Sequence, residues 1–323
     1  MEKDCMKCMY RSALLLIVLL FGISSSFAQL TRQRHFRRSV PAGNYSGLAK
    51  INDTLYAVVD DKIARDGFAY LSIKTSPVTG EIESVDTVGA VFSGIPNRDE
   101  EGICYVPSTN TLFISAENDN KVLEYTRDGK LTGRELQIPD DLKRAKTNYG
   151  LESLTYDTIR HRFFTVSEAP LKGDTLQYIL EFNDDLQFVR RIPYLMDKPK
   201  AKPGKKANYL HGISDILALP DGRLLVLERE GFFPRIEYGS WVKCYIYCIS
   251  PDEYKTGIVS KKLLTNWETH MNILHQDLAN YEGMALGNPL PDGRQVIILC
   301  ADSQAQLMGI LRDWFRTFVL LPL

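Results

Sequence analysis

The chain has 323 residues, with 39 Lys plus Arg against 40 Asp plus Glu and a net charge of −1. It is 44% hydrophobic and 24% charged, which excludes a disordered or fibrous chain. With no basic excess, it also does not suit a protein that tracks along nucleic acid.

The N-terminus reads as a targeting signal. Lys3, Lys7 and Arg11 precede the apolar run Ala13–Ile23, and Ser26-Phe27-Ala28 supplies small residues at the −3 and −1 positions of a cleavage site before Gln29. The run is too short for a bilayer, which needs about 20 residues. Residues 1–28 are therefore expected to be a signal peptide and residues 29–323 a single exported domain, periplasmic or extracellular, with no membrane span after cleavage. Cys5 and Cys8 leave with the signal. Cys244 and Cys248 lie in one strand-like run, roughly 13 Å apart at about 3.3 Å per residue, beyond the approximately 7 Å reach of a disulfide. Buried thiols are expected.

One unit recurs five times, starting at Asn44, Asp99, Asn148, Asn208 and Asn280. Four copies open on Asn-Tyr, and all five run through a strand, a tight turn and a second strand that ends in a carboxylate. Aligned on Ser46, Glu101, Glu152, Ser214 and Glu282, they are spaced by 55, 51, 62 and 68 residues. Two further β-type runs follow each of the first four copies. These are Phe68–Lys74 and Glu81–Val88, Lys121–Tyr125 and Gly133–Ile138, Gln177–Phe182 and Gln187–Ile192, and Val242–Ile249 and Gly257–Leu264. Four consecutive strands per repeat describe a propeller blade. The fifth copy adds only Phe315–Leu321, and an N-terminal strand at His35–Pro41 is expected to close its blade and remove the open edge. The fold class is all-β: a β-propeller of four-stranded antiparallel blades, five in number. A sixth remains open if Asn266–Ala279 or the insert before the fourth copy holds strands.

In such blades the turn between the first two strands lies at one end. The long connections Arg65–Gly67, Asp140–Thr147, Ala169–Thr175, Lys198–Lys206 and Glu230–Ser240 lie at the other, where binding usually sits. Acids gather at that end. Asp60, Glu117, Glu168, Glu228 and Asp302 finish the second strands, and Glu101, Glu152 and Glu282 begin three first strands. Carboxylates this close need a counter-charge, and a ring of hard oxygens suits Ca²⁺. The alternative is that several of them cap strand ends or pair with Arg98, Arg229 or Lys62. Lys143, Arg144, Lys205, Lys206 and His211 reach the same face and would receive an anionic group, although KPKAKPGKK at 198–206 also reads as a solvated loop. No nucleophile elbow, phosphate-binding loop or HExxH helix is present.

The stretches Ser46-Gly47-Leu48 with Tyr56–Asp61, Glu101-Gly102-Ile103 with Glu117, Glu152 with Glu168, Leu224–Arg229, and Glu282-Gly283-Met284 carry a family resemblance. Over residues 44–303 the chain resembles the secreted phytase-like propellers described by an esterase-like activity of phytase. The resemblance implies a propeller and, by analogy with β-propeller phytases, Ca²⁺-dependent phosphoester hydrolysis. The acidic strand ends of that family map onto Glu101, Glu152, Glu228 and Glu282, while Ser46 and Ser214 stand where two blades would carry an acid. The expected roles are Glu101, Glu152 and Glu282 as metal ligands or base, and Arg229 against the leaving phosphate. The substrate is expected to be a small phosphorylated or other anionic molecule, and the protein a monomer. A non-catalytic ligand- or protein-binding propeller with a structural cation, and a lactonase-like metal hydrolase, are the other readings.

Overall fold

The first two strands of each repeat carry apolar side chains on both faces, so they demand cover on both sides. The computed structural model describes residues 28–145, 149–200, 207–234, 238–304, 306 and 311–321. In it these strands are the buried inner pair of five antiparallel sheets arranged in a ring. Two short strands come first, β1 (Ala28–Leu30) and β2 (Arg34–His35). Blade one is β3 (Tyr45–Lys50), β4 (Leu55–Asp60), β5 (Arg65–Thr75) and β6 (Ile82–Pro96). Blade two is β7 (Glu100–Val106), β8 (Thr111–Ala116), β9 (Lys121–Thr126) and β10 (Leu131–Glu135). Blade three is β11 (Leu151–Asp157), β12 (Arg162–Ser167), β13 (Gln177–Asn183) and β14 (Phe188–Tyr194). Blade four is β15 (Ala207–Ala218), β16 (Leu224–Pro234), β17 (Ser240–Ile249) and β18 (Lys261–Met271). Blade five is β19 (Asn280–Leu286), β20 (Gln295–Asp302) and β21 (Trp314–Leu320), with β1 and β2 paired outside β21.

Five large apolar clusters fill the five gaps between neighbouring blades. Phe164, Val166 and Ile192 of blade three, for example, meet Ile213, Ile216 and Val226 of blade four. Equivalent clusters join blades four and five, five and one, one and two, and two and three. Burial falls outward across a blade: β11 is buried throughout, whereas β10 is almost wholly exposed. Each blade thus depends on both neighbours, and the ring is stable only when closed.

Closure is achieved as expected in kind, but with other residues. Ala28 pairs with Leu320 and Leu30 with Phe318, then Arg34 with Phe315, whereas residues 36–41 form a turn and an irregular segment. The expected cleavage after Ala28 falls inside this closing strand, and residues 1–27 lie outside the described residues. There are five blades. Of the two stretches considered for a sixth, Asn266–Ala279 is divided between the end of β18 and the connection to β19, and the insert before the fourth copy lies partly outside the described residues, among which no further sheet exists. Two expected loops are partly strand: Arg65–Gly67 begins β5, and Glu230–Pro234 extends β16 against a lengthened β15. Cys104, Cys244, Cys248 and Cys300 are free and buried, and burial pushes the thiols up, that of Cys244 to about 12.

Candidate functional site

The five residues that align the repeats share a structural cause. In every blade the register between the first two strands slips by one residue near the channel. The slip falls between Tyr45 and Leu48, Glu100 and Ile103, Leu151 and Ser153, Ile213 and Asp215, and Tyr281 and Gly283. Ser46, Glu101, Glu152, Ser214 and Glu282 therefore sit at β-bulges, which re-aim a side chain out of the ladder. Glycine follows three of them because the inner strands of adjacent blades nearly touch there. A Cβ on Gly47 would lie 2.5 Å from the Glu101 carbonyl oxygen, and one on Gly283 would lie 2.8 Å from that of Ser46.

The acids gathered at this end divide into groups with different surroundings. Arg229, buried on β16, holds three of them. Its Nη2 lies 3.0 Å from Glu152 Oε1 and 3.0 Å from Glu168 Oε1, and its Nη1 pairs with Glu282 Oε1. Asn280 adds an acceptor to Nη1 at 3.0 Å and donates from Nδ2 to Glu282 Oε1 at 2.8 Å. Burial alone would lower the Arg229 pKa, but Glu282, Glu168 and Glu152 outweigh it and hold the group cationic. Three acids around one guanidinium still leave surplus negative charge. Burial, and then the charge on Glu168, push the Glu152 pKa well up.

Glu101 lies outside this arrangement. It is only 7% exposed, and none of its hydrogen bonds or ion pairs reaches another described residue. Burial, followed by the charges on Glu152 and Glu282, drives its pKa well above the usual carboxylate range. One oxygen each from Glu101, Asp61 and Asp99 lies within 4.8 Å of the others. Asp61 Oδ1 is also buried without a partner, and burial raises that carboxyl to about 6. On the outer side, Lys62 Nζ reaches Asp61 Oδ2 at 2.8 Å and Asp99 Oδ1 at 2.5 Å.

In the run Asp99-Glu100-Glu101, the outer two acids bring oxygens to the same cluster and the middle one binds elsewhere. Asp99 has φ +63°, a left-handed conformation that Asp tolerates better than most residues, and it faces Lys62. Glu100 is fully buried and accepts from Asn97 Nδ2 at 2.6 Å and the Arg98 amide at 2.9 Å. Burial, then Asp66, raises its pKa to about 8.

The other expected ligands are spread. Glu117 Oε1 accepts from the Gly150 amide at 2.7 Å, and burial raises its pKa to about 7. Asp302 accepts from the Gln304 amide at 2.6 Å and Asp60 from the Lys62 amide at 3.2 Å, so both act as turn acceptors. Glu228 faces away from the Arg229 group, bound by Tyr194 Oη at 2.5 Å and Lys261 Nζ at 2.6 Å. Arg144 is engaged outside the mouth by Asp174 at 3.0 Å and the Lys172 carbonyl at 3.2 Å. His211 pairs in register with Glu230 and lines a cavity of about 150 Å³ with Lys198, Lys200, Glu228, Arg229 and Tyr245. The Lys143 side chain, Lys205 and Lys206 lie outside the described residues.

Sequence reasoning passed over Asp61 and Asp99 because each is next to an acid that fits the repeat better. The signal was present as doubled and tripled acids, Asp60-Asp61 and Asp99-Glu100-Glu101, at the channel end of two neighbouring blades.

The phytase-like family, described by the esterase-like activity of phytase, matches residues 40–304. No curated protein matches the chain in sequence. Similar solved structures include a thermostable family-43 glycoside hydrolase, at 11% identity and TM-score 0.47, covering 88% of this chain and 91% of that one. A catalytically inactive virginiamycin B lyase from Staphylococcus aureus with quinupristin is also similar, at 11% identity and TM-score 0.41, covering 91% and 100%. Among the described residues no helix is long and apolar enough to cross a membrane.

Proposed function

Because the chain belongs to the phytase-like family, we propose that it is an exported, calcium-dependent phosphoesterase whose active site is the acidic mouth of the propeller. The observation that carries this reading is Glu101, a carboxyl group buried among like charges with no counter-charge paired to it among the described residues. A hard divalent cation relieves such a group, and oxygen donors from neighbouring blades are the ligand chemistry it takes. Bound there, the cation would supply charge neutralisation for phosphoryl oxygens and acidify a bound water.

The chain's own groups account for the rest. Burial raises the Glu117 pKa to about 7, which suits this group to take a proton from an attacking water at neutral pH, while its Oε1 accepts from the Gly150 amide. The water oxygen would bond to phosphorus as the ester P–O bond breaks, and the leaving oxygen takes up a proton. Arg229 does not face the substrate in this scheme. Both its terminal nitrogens are engaged by Glu152, Glu168 and Glu282, so its task is to hold the acidic wall in place.

The experiment is phosphate release from phytate and from an aryl phosphate, with calcium and with chelator. Calcium-dependent release that Glu101→Gln abolishes is expected. No release from folded protein in either condition overturns the proposal and leaves a binding propeller.

A further inference from the structure

We propose that the cation seat lies off the channel axis, between blades one and two, on Asp61, Asp99 and Glu101, and that the Lys62 ammonium is a built-in competitor expelled when the ion binds. The inference rests on the cation half of the proposed function and not on its chemistry.

Three observations converge. The centre of the mouth is taken: Glu152, Glu168 and Glu282 already share one guanidinium, and Asn280 braces it. An ion entering there would have to displace a buried arginine with few other acceptors. Between blades one and two the balance is reversed. Glu101 is more than nine-tenths buried and has no hydrogen-bond or ion-pair partner among the described residues, and one of its oxygens lies within 4.8 Å of one from Asp61 and one from Asp99. That span is about twice a Ca²⁺–oxygen distance of roughly 2.4 Å, so the three groups can reach one calcium ion without backbone movement. Mg²⁺, at about 2.0–2.1 Å with octahedral demands, would need them drawn closer. Asp61 Oδ1 is buried and has no hydrogen-bond partner among the described residues.

Lys62 occupies the outer side of this seat, with Asp61 at 2.8 Å and Asp99 at 2.5 Å. Its side chain is 60% exposed and its stem flexible, so it leaves at small cost. It touches two of the three acids and leaves Glu101 alone. A monovalent ammonium thus neutralises the exposed pair, while a divalent ion would serve all three. The freed ammonium stays tethered one residue from Asp61, beside the ion, as a mobile cation for an anionic ligand.

The test is calcium titration of the full chain by calorimetry, for wild type, Lys62→Met and Asp99→Asn. Lys62→Met should bind calcium at least tenfold more tightly than wild type, Asp99→Asn at least tenfold more weakly, and magnesium should bind less tightly than calcium. In unsubstituted protein, calcium should raise the reactivity of Lys62 toward an amine-acylating reagent severalfold, read by mass spectrometry. Equal or weaker calcium binding by Lys62→Met, unchanged binding by Asp99→Asn, or unchanged Lys62 labelling overturns the seat. Phosphate release from the same samples separates the two proposals. Calcium binding without turnover retires the phosphoesterase and keeps the seat. Calcium-dependent turnover with unchanged labelling does the reverse.

Discussion

The two sides of the propeller mouth hold the same kind of residue with opposite consequences. On the side of blades three to five, bulge acids Glu152 and Glu282 and the strand-end Glu168 close on Arg229. On the side of blades one and two, the bulge acid Glu101 meets Asp61 and Asp99, and among the described residues the cation beside them is an exposed lysine at the rim. The repeat places an acid at equivalent points, and the neighbouring blade decides whether it is a strut or a free ligand. A buried arginine converts surplus carboxylates into a clasp joining three blades. Without one, the surplus persists as a demand for a cation.

The largest test of this contrast is Arg229→Met. It leaves three buried carboxylates without their guanidinium, and breaking a buried pair costs about 3–5 kcal/mol. Denaturant unfolding should show at least that loss, with calcium restoring part of it. Glu101→Gln should act in the opposite sense. Removing a buried carboxyl that the unfolded chain would ionise should stabilise the calcium-free protein at neutral pH by roughly 0.5–2 kcal/mol, the usual range for an improved charge arrangement, and abolish any rise in unfolding temperature on adding calcium. If both substitutions destabilise alike, the two sides do not differ as described.

A pH titration of stability sharpens the comparison further. Glu100, Glu117 and Asp61 have pKa values raised by burial to about 8, 7 and 6, whereas free carboxyls titrate near 4. Between those limits the folded state holds protons that the unfolded chain has released, so stability is greatest below about pH 4 on this account and falls as pH rises through 8. Unfolding temperatures in chelator should decline over that window, and saturating calcium should flatten the part due to the mouth. The smallest effect is expected for Arg144→Ala. It removes an exposed pair with Asp174 away from the mouth and should change neither unfolding temperature nor phosphate release.

Much of this was legible in the chain. The recurring Asn-Tyr start, the turn and the terminal carboxylate give a five-fold β repeat, because strand alternation and turn chemistry are local properties. The residues Ser46, Glu101, Glu152, Ser214 and Glu282 stand out in the sequence as the points on which the repeats align, but their cause, a bulge in each inner hairpin, appears only when strands are paired. The closing strand was expected at His35–Pro41 and lies at Ala28–Leu30 with Arg34–His35. Several short runs near the N-terminus could pair with β21, and the choice depends on where the chain meets the last blade. The lysine-rich face was likewise beyond a local reading, since Arg144 finds Asp174 some 30 residues away.

The sequence by itself determined the five-fold repeat, its strand content and the acidic end, since these follow from periodicity within windows of a few residues, while the structure decided against a sixth blade. Tertiary structure alone decided which acids are neutralised. That depends on whether a side chain 50 to 80 positions away, such as Arg229 for Glu152 and Glu282, arrives within hydrogen-bond reach. Coulomb interactions between buried groups are set by distance in space, and no spacing along the chain encodes that distance.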